Sequence, residues 1–230
     1  PDQEFYNFEK NKKAEIFKTR QIWAVHYQAA MPQNYRYAQI NNNDNYALSV
    51  TWLKPVGASL TERRWCLAGL PVSCGLFDLN PEKNEVIQLV FSFKCSSYLV
   101  VKEDRIVIYP QEGEIWALYK DWNIEEWAYN PEKLKGCKFE LESCQFLVVE
   151  VISECSNENG IKICKLVEVK HFRTFFHGQK RDGSDMVRVV SPAGMLSFSH
   201  RIPAYKVPGP GIYDIPEGAW HLEPNALPLT

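Results

Sequence analysis

Gly113-Glu114-Ile115-Trp116-Ala117-Leu118-Tyr119-Lys120-Asp121-Trp122 is the stretch that decides how the chain is read, because Ile22-Trp23-Ala24-Val25-His26-Tyr27 is an earlier copy of its centre. Each copy opens a segment that closes on a related tetrapeptide, Phe91-Ser92-Phe93-Lys94 in the first and Phe198-Ser199-His200-Arg201 in the second. A pattern repeated at both ends of two segments reads as an internal duplication. It divides the chain into 1–104, a first unit with an N-terminal arm, and 105–230, a second unit with a Pro-rich closing segment.

Outward from the two Trp-bearing runs, the apolar spacing is that of short strands. Ile22–Tyr27 and Arg36–Ile40 flank a Met31-Pro32-Gln33-Asn34 loop, the signature of a hairpin. Tyr46–Leu53 follows the polar turn Asn41–Asn45 and is expected to stop before Pro55. Residues 56–80 read as looser, a loop and a short strand around Trp65–Gly75, and Val86–Phe93 reads as the strand that closes the first unit. Tyr98–Val101 and Ile106–Tyr109 bridge to the second. There Ile115–Tyr119 is followed by an insert, Trp122 to Ser143, expected to hold a short helix, and then by strands over Phe146–Ile152 and Ile161–Val169. Gly178–Asp185 reads as a polar loop. The tail carries Ile212, Ile215, Trp220 and Leu222, so it is expected to pack back on the body. At the other end, residues 1–15 read as an aromatic arm with a helical turn over Lys10–Ile16. The fold class is read as mainly β: two tandem small, strongly bent barrels packed as one unit, with short helices in inserts.

The chain has 230 residues, 45% hydrophobic and 23% charged, which is enough apolar material for a packed core. No apolar run is long enough for a membrane helix and no signal-peptide pattern opens the chain, which argues against membrane or secretion. The chain starts on Pro1 rather than Met, which reads as a piece of a longer protein. Seven cysteines without a C-x-x-C pair argue for a reducing compartment, nucleus or cytoplasm. A net charge of −2 argues against a whole-protein polyanion binder.

The blocks Trp52-Leu53-Lys54-Pro55, Leu70-Pro71-Val72-Ser73-Cys74-Gly75, Tyr109-Pro110 with Gly113–Lys120, Phe198–Pro203 and Pro216–Pro228 carry a resemblance. In these the chain resembles the plant domain of unknown function found C-terminal to the J-domain in DnaJ-type proteins. The likeness runs over nearly the whole chain from Phe5. It implies a nuclear partner, a histone tail or a transcription-complex subunit, since some members are associated with complexes that read methylated DNA. The sequence holds no His-Pro-Asp tripeptide, so the J-domain itself is not in this segment. Arg20 stands where many relatives have a glycine, and the turn there is expected to be shaped differently. A weaker likeness is to Tudor, PWWP and BAH-type barrels, in the placing of Ala24, His26, Tyr37–Ile40, Ala117 and Tyr119.

Two binding surfaces are weighed. Tyr119, Trp122 and Trp127 cluster where a barrel's first loop begins, with His26, Tyr27, Tyr35 and Trp52 as equivalents in the first copy. Rings around a cation suit a basic or methylated peptide. The bland alternative is core packing, which is also the reading of Trp23 and Trp116. Lys170, His171, Arg173, His177, Lys180 and Arg181, interleaved with Phe172, Phe175 and Phe176, suit nucleic acid. The alternative is a solvated loop with its phenylalanines turned inward. No nucleophile elbow, phosphate loop or metalloprotease motif occurs, and a Cys74/His200 dyad is one of many such pairings in the chain. Cys137/Cys144, Cys155/Cys164 and His171/His177 lack tight metal spacing. The expectation is a non-enzymatic peptide-recognition domain, with no cofactor or metal. The alternatives are a nucleic-acid-binding module and a substrate-binding accessory of a co-chaperone.

Overall fold

The computed structural model describes residues 6–8, 17–26, 35–43, 48–87, 91–130, 145–209 and 214–227. The expected helical turn over 10–16, Tyr27, the 31–34 loop, Asn45, residues 131–143 of the insert, Cys137, Cys144 and Ile212 lie outside them. The chain is mainly β and divides into two compact units. One comprises Phe8–Tyr109 with Asn123–Phe139, and the other Pro1–Asn7, Pro110–Trp122 and Glu140–Thr230. A cut at the middle of the sequence would therefore take a piece from each unit.

The first sheet contains β1 (Ile22–His26), β2 (Tyr35–Asn43), β3 (Leu48–Val56), β4 (Gly75–Ile87), β5 (Phe91–Lys94), β6 (Leu99–Lys102) and β7 (Arg105–Ile108). Its order is β5-β1-β2-β3-β4-β7-β6, curled into a half-barrel. The second contains β8 (Ile115–Tyr119), β9 (Phe146–Val151), β10 (Ile161–Glu168), β11 (Phe175–Gly178), β14 (Val187–Val190), β15 (Phe198–Ile202), β16 (Ala204–Lys206) and β17 (Trp220–Leu222). It runs β15-β8-β9-β10-β11-β17-β16, with β14 also on β10. These are one topology twice. The apparent extra strand arises because β4 of the first copy is divided in the second. β4 covers both ends of β3, skipping residues 80–83 opposite Trp52, whereas β11 covers Leu166–Glu168, β14 covers Ile161–Cys164, and residues 179–186 loop out between them. That excursion is a small hairpin, β12 (Lys180–Arg181) with β13 (Ser184–Asp185), turning on Asp182 and Gly183 at φ 52° and 81°.

The repeated tetrapeptides hold matching places. Ala24 faces Phe93 and Val25 faces Phe91, while Ala117 faces His200 and Leu118 faces Phe198, so Ser92 and Ser199 are the extra residues of the same β-bulge. The Trp positions match in their polar contacts too. Trp23 donates its indole N–H to Gln21 Oε1 at 2.9 Å, and Trp116 donates to Glu114 Oε2 at 3.0 Å. Alternation puts Ile22 and Ala24 into one cluster with Tyr37, Leu53, Phe77 and Ile106, and Trp23 and Val25 into another with Phe17, Ala38, Ile40, Val50 and Trp52. Both faces of β1 are thus buried, which explains an unbroken apolar run.

The turn before β1 corrects one expectation. Arg20 has φ 68° and its counterpart Gly113 φ 84°. Arg20 N–H donates to the Ile40 carbonyl at 2.7 Å, as Gly113 N–H does to Val151 at 2.8 Å. The turn is shaped alike in both copies, and the arginine takes the left-handed backbone that glycine takes freely. An L side chain there costs roughly 1 to 2 kcal/mol, and glycine's extra unfolded-state freedom returns about 0.4 to 1 kcal/mol of any relief. Arg20→Gly is expected to raise stability by about 0.5 kcal/mol, while Gly113→Ala, whose added methyl meets nothing within 4 Å, should lose about 1 kcal/mol. Denaturant midpoints of the two variants check this, and a destabilised Arg20→Gly overturns it.

Four further readings change. Residues 60–67 form a helix, α1 (Leu60–Leu67), where a loop is expected; Ser59 and Glu62 make a capping box that was visible in the sequence. Pro55 does not end β3 but sits within it opposite Phe77, beyond Trp52, the last β3 residue in register with β2. Val86–Phe93 is not one strand, since β4 ends on Ile87 against β3 while β5 pairs with β1. Tyr98–Val101 and Ile106–Tyr109 are no bridge either: β6 and β7 are the last two strands of the first sheet. The short helix expected in the insert is α2 (Ile124–Tyr129), capped by Asn123. The tail packs back as expected, with Ile215 1% and Leu222 0% exposed.

Candidate functional site

The sequence-selected rings are largely packing residues. Tyr119 and Tyr35 are buried, the first against Phe146 at 5.6 Å and the second edge-on to Tyr37 and Phe93. Trp52 is buried in the Phe17/Trp23 cluster, with Arg36 5.5 Å from its ring centroid. His26 is half-buried, edge-on to Tyr35 at 6.4 Å. Trp122 is half-buried. Trp127 belongs to the first unit, where it stacks on Trp65 at 6.3 Å, while Tyr119 and Trp122 belong to the second. The two Trp side chains are the seam between α1 and α2, with Trp65 fully buried and donating to the Pro71 carbonyl at 2.9 Å. Periodicity alone could not separate these rings from an open cage, since both uses favour aromatic residues near strand ends.

The basic loop is displayed as the solvated reading describes. Lys170, His171, Arg173, Lys180 and Arg181 are exposed, and Phe175 and Phe176 are buried. Phe172 is half-buried beside Phe175. The loop therefore offers cations without the bare rings on which bases would stack.

His200 is fully buried, with Nδ1 3.0 Å from Ser199 Oγ and Nε2 2.8 Å from the Ala226 carbonyl. These contacts tie the tail to β15. Cys74 is buried in the other unit. Burial pushes the thiols of Cys66, Cys155 and Cys164 up from their ordinary range, with Glu62 adding to it at Cys66 and Asp185 and Glu150 at Cys164, which lowers their thiolate fraction at neutral pH. Among the described residues no group of three or more His, Cys, Asp or Glu could hold a metal ion.

What the sequence reading missed is an open sheet edge. β6 pairs with β7 alone among the described residues, and Leu99, Val100 and Val101 are 65%, 66% and 55% exposed. Val101 is the irregular residue of the ladder, since Val100 faces Ile106 and Lys102 faces Arg105. Three successive apolar residues on an unpaired edge are unusual, because an open edge invites another strand. The signal in the sequence was the run Leu99-Val100-Val101 between polar residues, read there as a bridge. In the second unit the counterpart strand, β16, carries a ring contact: Tyr6 stacks on Tyr205 with centroids 4.5 Å apart and planes 11° from parallel.

A family model described as "Domain of unknown function (DUF3444)" matches residues 1–210. The comparison with curated proteins and the comparison with solved structures each find no match.

Proposed function

This chain belongs to the DUF3444 family, and from that premise we propose that it is a non-enzymatic recognition domain that takes an extended peptide of a nuclear protein along β6. The observation that carries the reading is the edge: a strand row unpaired on one side among the described residues, with Leu99, Val100 and Val101 all exposed. Added strands gain affinity from main-chain hydrogen bonds and specificity from alternate side chains. The twin strand supports it, since β16 already receives a ring from another segment of this same chain, Tyr6 on Tyr205. The curled first sheet and the repeated strand order support a likeness to Tudor-like or BAH-like barrels. The resemblance to domains that follow a J-domain supplies the partner class, a histone tail or a transcription-complex subunit in the nucleus.

A peptide array with and without lysine methylation identifies the ligand, and Val100→Asp then tests the edge. The variant is expected to lose about tenfold or more in affinity with an unchanged melting temperature, because Val100 is already in solvent. Full affinity in Val100→Asp would sink the edge as the site. Nucleic acid bound through Lys180 and Arg181, and lost when both become Glu, would move the assignment to the 170–181 loop.

A further inference from the structure

The first unit carries a second surface, on its helices α1 and α2. α1 fills the β3–β4 connection, whereas the corresponding β10–β11 connection, residues 169–174, has no helix. α2 lies in the long 120–145 connection whose counterpart is 27–34. Thr61 Oγ1 donates to Glu125 Oε1 at 3.0 Å, Trp65 stacks on Trp127, and the Arg64 guanidinium lies 4.1 Å from the Tyr129 ring centroid. The helices thus lie side by side with their N-termini together. Additions to a duplicated scaffold that pack on each other are where a new surface is built.

Its outer side is apolar and cationic. Leu60, Leu67 and Tyr129 are 61%, 87% and 56% exposed. Leu60, Arg63, Arg64 and Leu67 fall at i, i+3, i+4 and i+7, one stripe of α1. Arg63 is exposed and has no ion pair among the described residues, and Arg64 has a ring rather than a carboxylate beneath it. The carboxylates of the two helices stand in their first turns. Glu62 accepts the Ala58 and Ser59 amides, Glu125 accepts from Thr61, and Glu126 lies in the first turn of α2. The middle of α1 is therefore left with two guanidinium groups between the solvent-exposed side chains of Leu60 and Leu67.

We propose that this face binds an acidic peptide segment carrying interleaved leucine or phenylalanine side chains. Its carboxylates would pair with Arg63 and Arg64, and its apolar groups would cover Leu60, Leu67 and Tyr129. Arginine's fork suits carboxylate in a bidentate pair, and the helix stripe suits side chains spaced by a turn. The site is separate from β6 and takes the opposite peptide charge to a histone tail.

The test is a labelled synthetic peptide in which Asp and Glu pairs alternate with Leu and Phe, titrated by fluorescence anisotropy against the whole chain. Arg63→Glu and Leu67→Ser, both at exposed positions, are expected to weaken binding by about tenfold or more, and Arg63→Lys by much less. Val100→Asp should leave this binding intact even if it abolishes the peptide bound along β6, which separates the two assignments. No binding by the wild type, equal binding by Arg63→Glu, or equal binding of a peptide with Lys in place of Asp and Glu would each overturn the proposal. So would a single-stranded DNA that binds more tightly than the acidic peptide and depends on Arg63.

Discussion

Trp23→Ala and Trp116→Ala are each expected to cost about 3 to 5 kcal/mol of stability, the range for truncating a fully buried large ring. The two rings are 2% and 1% exposed and occupy one position of a duplicated fold. Each is held from two sides, by an indole N–H bond to the residue two places earlier and by a phenylalanine. For Trp23 that ring is Phe17 at 4.6 Å, and for Trp116 it is Phe198 at 5.6 Å. Truncation leaves a cavity and strands a partner for each indole N–H. Gln21 also accepts the Lys18 amide, and Glu114 the Gln111 amide, so the turn before the strand keeps one of its two ties in either variant. The loss should therefore come mainly from packing and be similar in both copies. Equilibrium denaturation measures it, and a loss below about 1 kcal/mol at either position would show that the ring is not a core element there.

Gly160→Ala should be comparably severe for a different reason. Gly160 has φ 74°, and a Cβ at that place would stand 2.0 Å from the Val190 carbonyl oxygen, which belongs to backbone and cannot swing away. Ile161 beside it pairs with Val190. The methyl would have to part β10 from β14, so about 3 kcal/mol or more is expected from backbone strain and overpacking together. Gly183 is the control, since it is also left-handed at φ 81° but an added Cβ meets nothing within 4 Å. Gly183→Ala should cost only about 1 kcal/mol. Thermal melts of the two variants decide the point, and equal losses would mean that conformation, not the close approach, governs Gly160.

The duplication was legible because it is local in sequence at both ends. Ile-Trp-Ala and Phe-Ser each recur with their neighbours, and a strand that pairs in the same register needs the same residues at the same places. Strands also announced themselves by spacing, as an unbroken apolar run in Ile115–Tyr119, buried throughout, and as a largely alternating one in Ile161–Glu168. The helix α1 was legible too, in Ser59 and Glu62, but Trp65 and Leu67 so close to Gly69 and Pro71 favoured a loop. What sequence alone determined is thus the mainly β class, the repeat and its paired core tryptophans. Tertiary structure decided which rings are packing and which surfaces are open. Trp127 could line a cage or lie on another tryptophan, and only the approach of α2 to α1 chose the second. Leu99, Val100 and Val101 could be core or edge, because an apolar run reads the same in both. Burial depends on which strand comes to lie alongside, and that partner is set by chain segments far away in sequence.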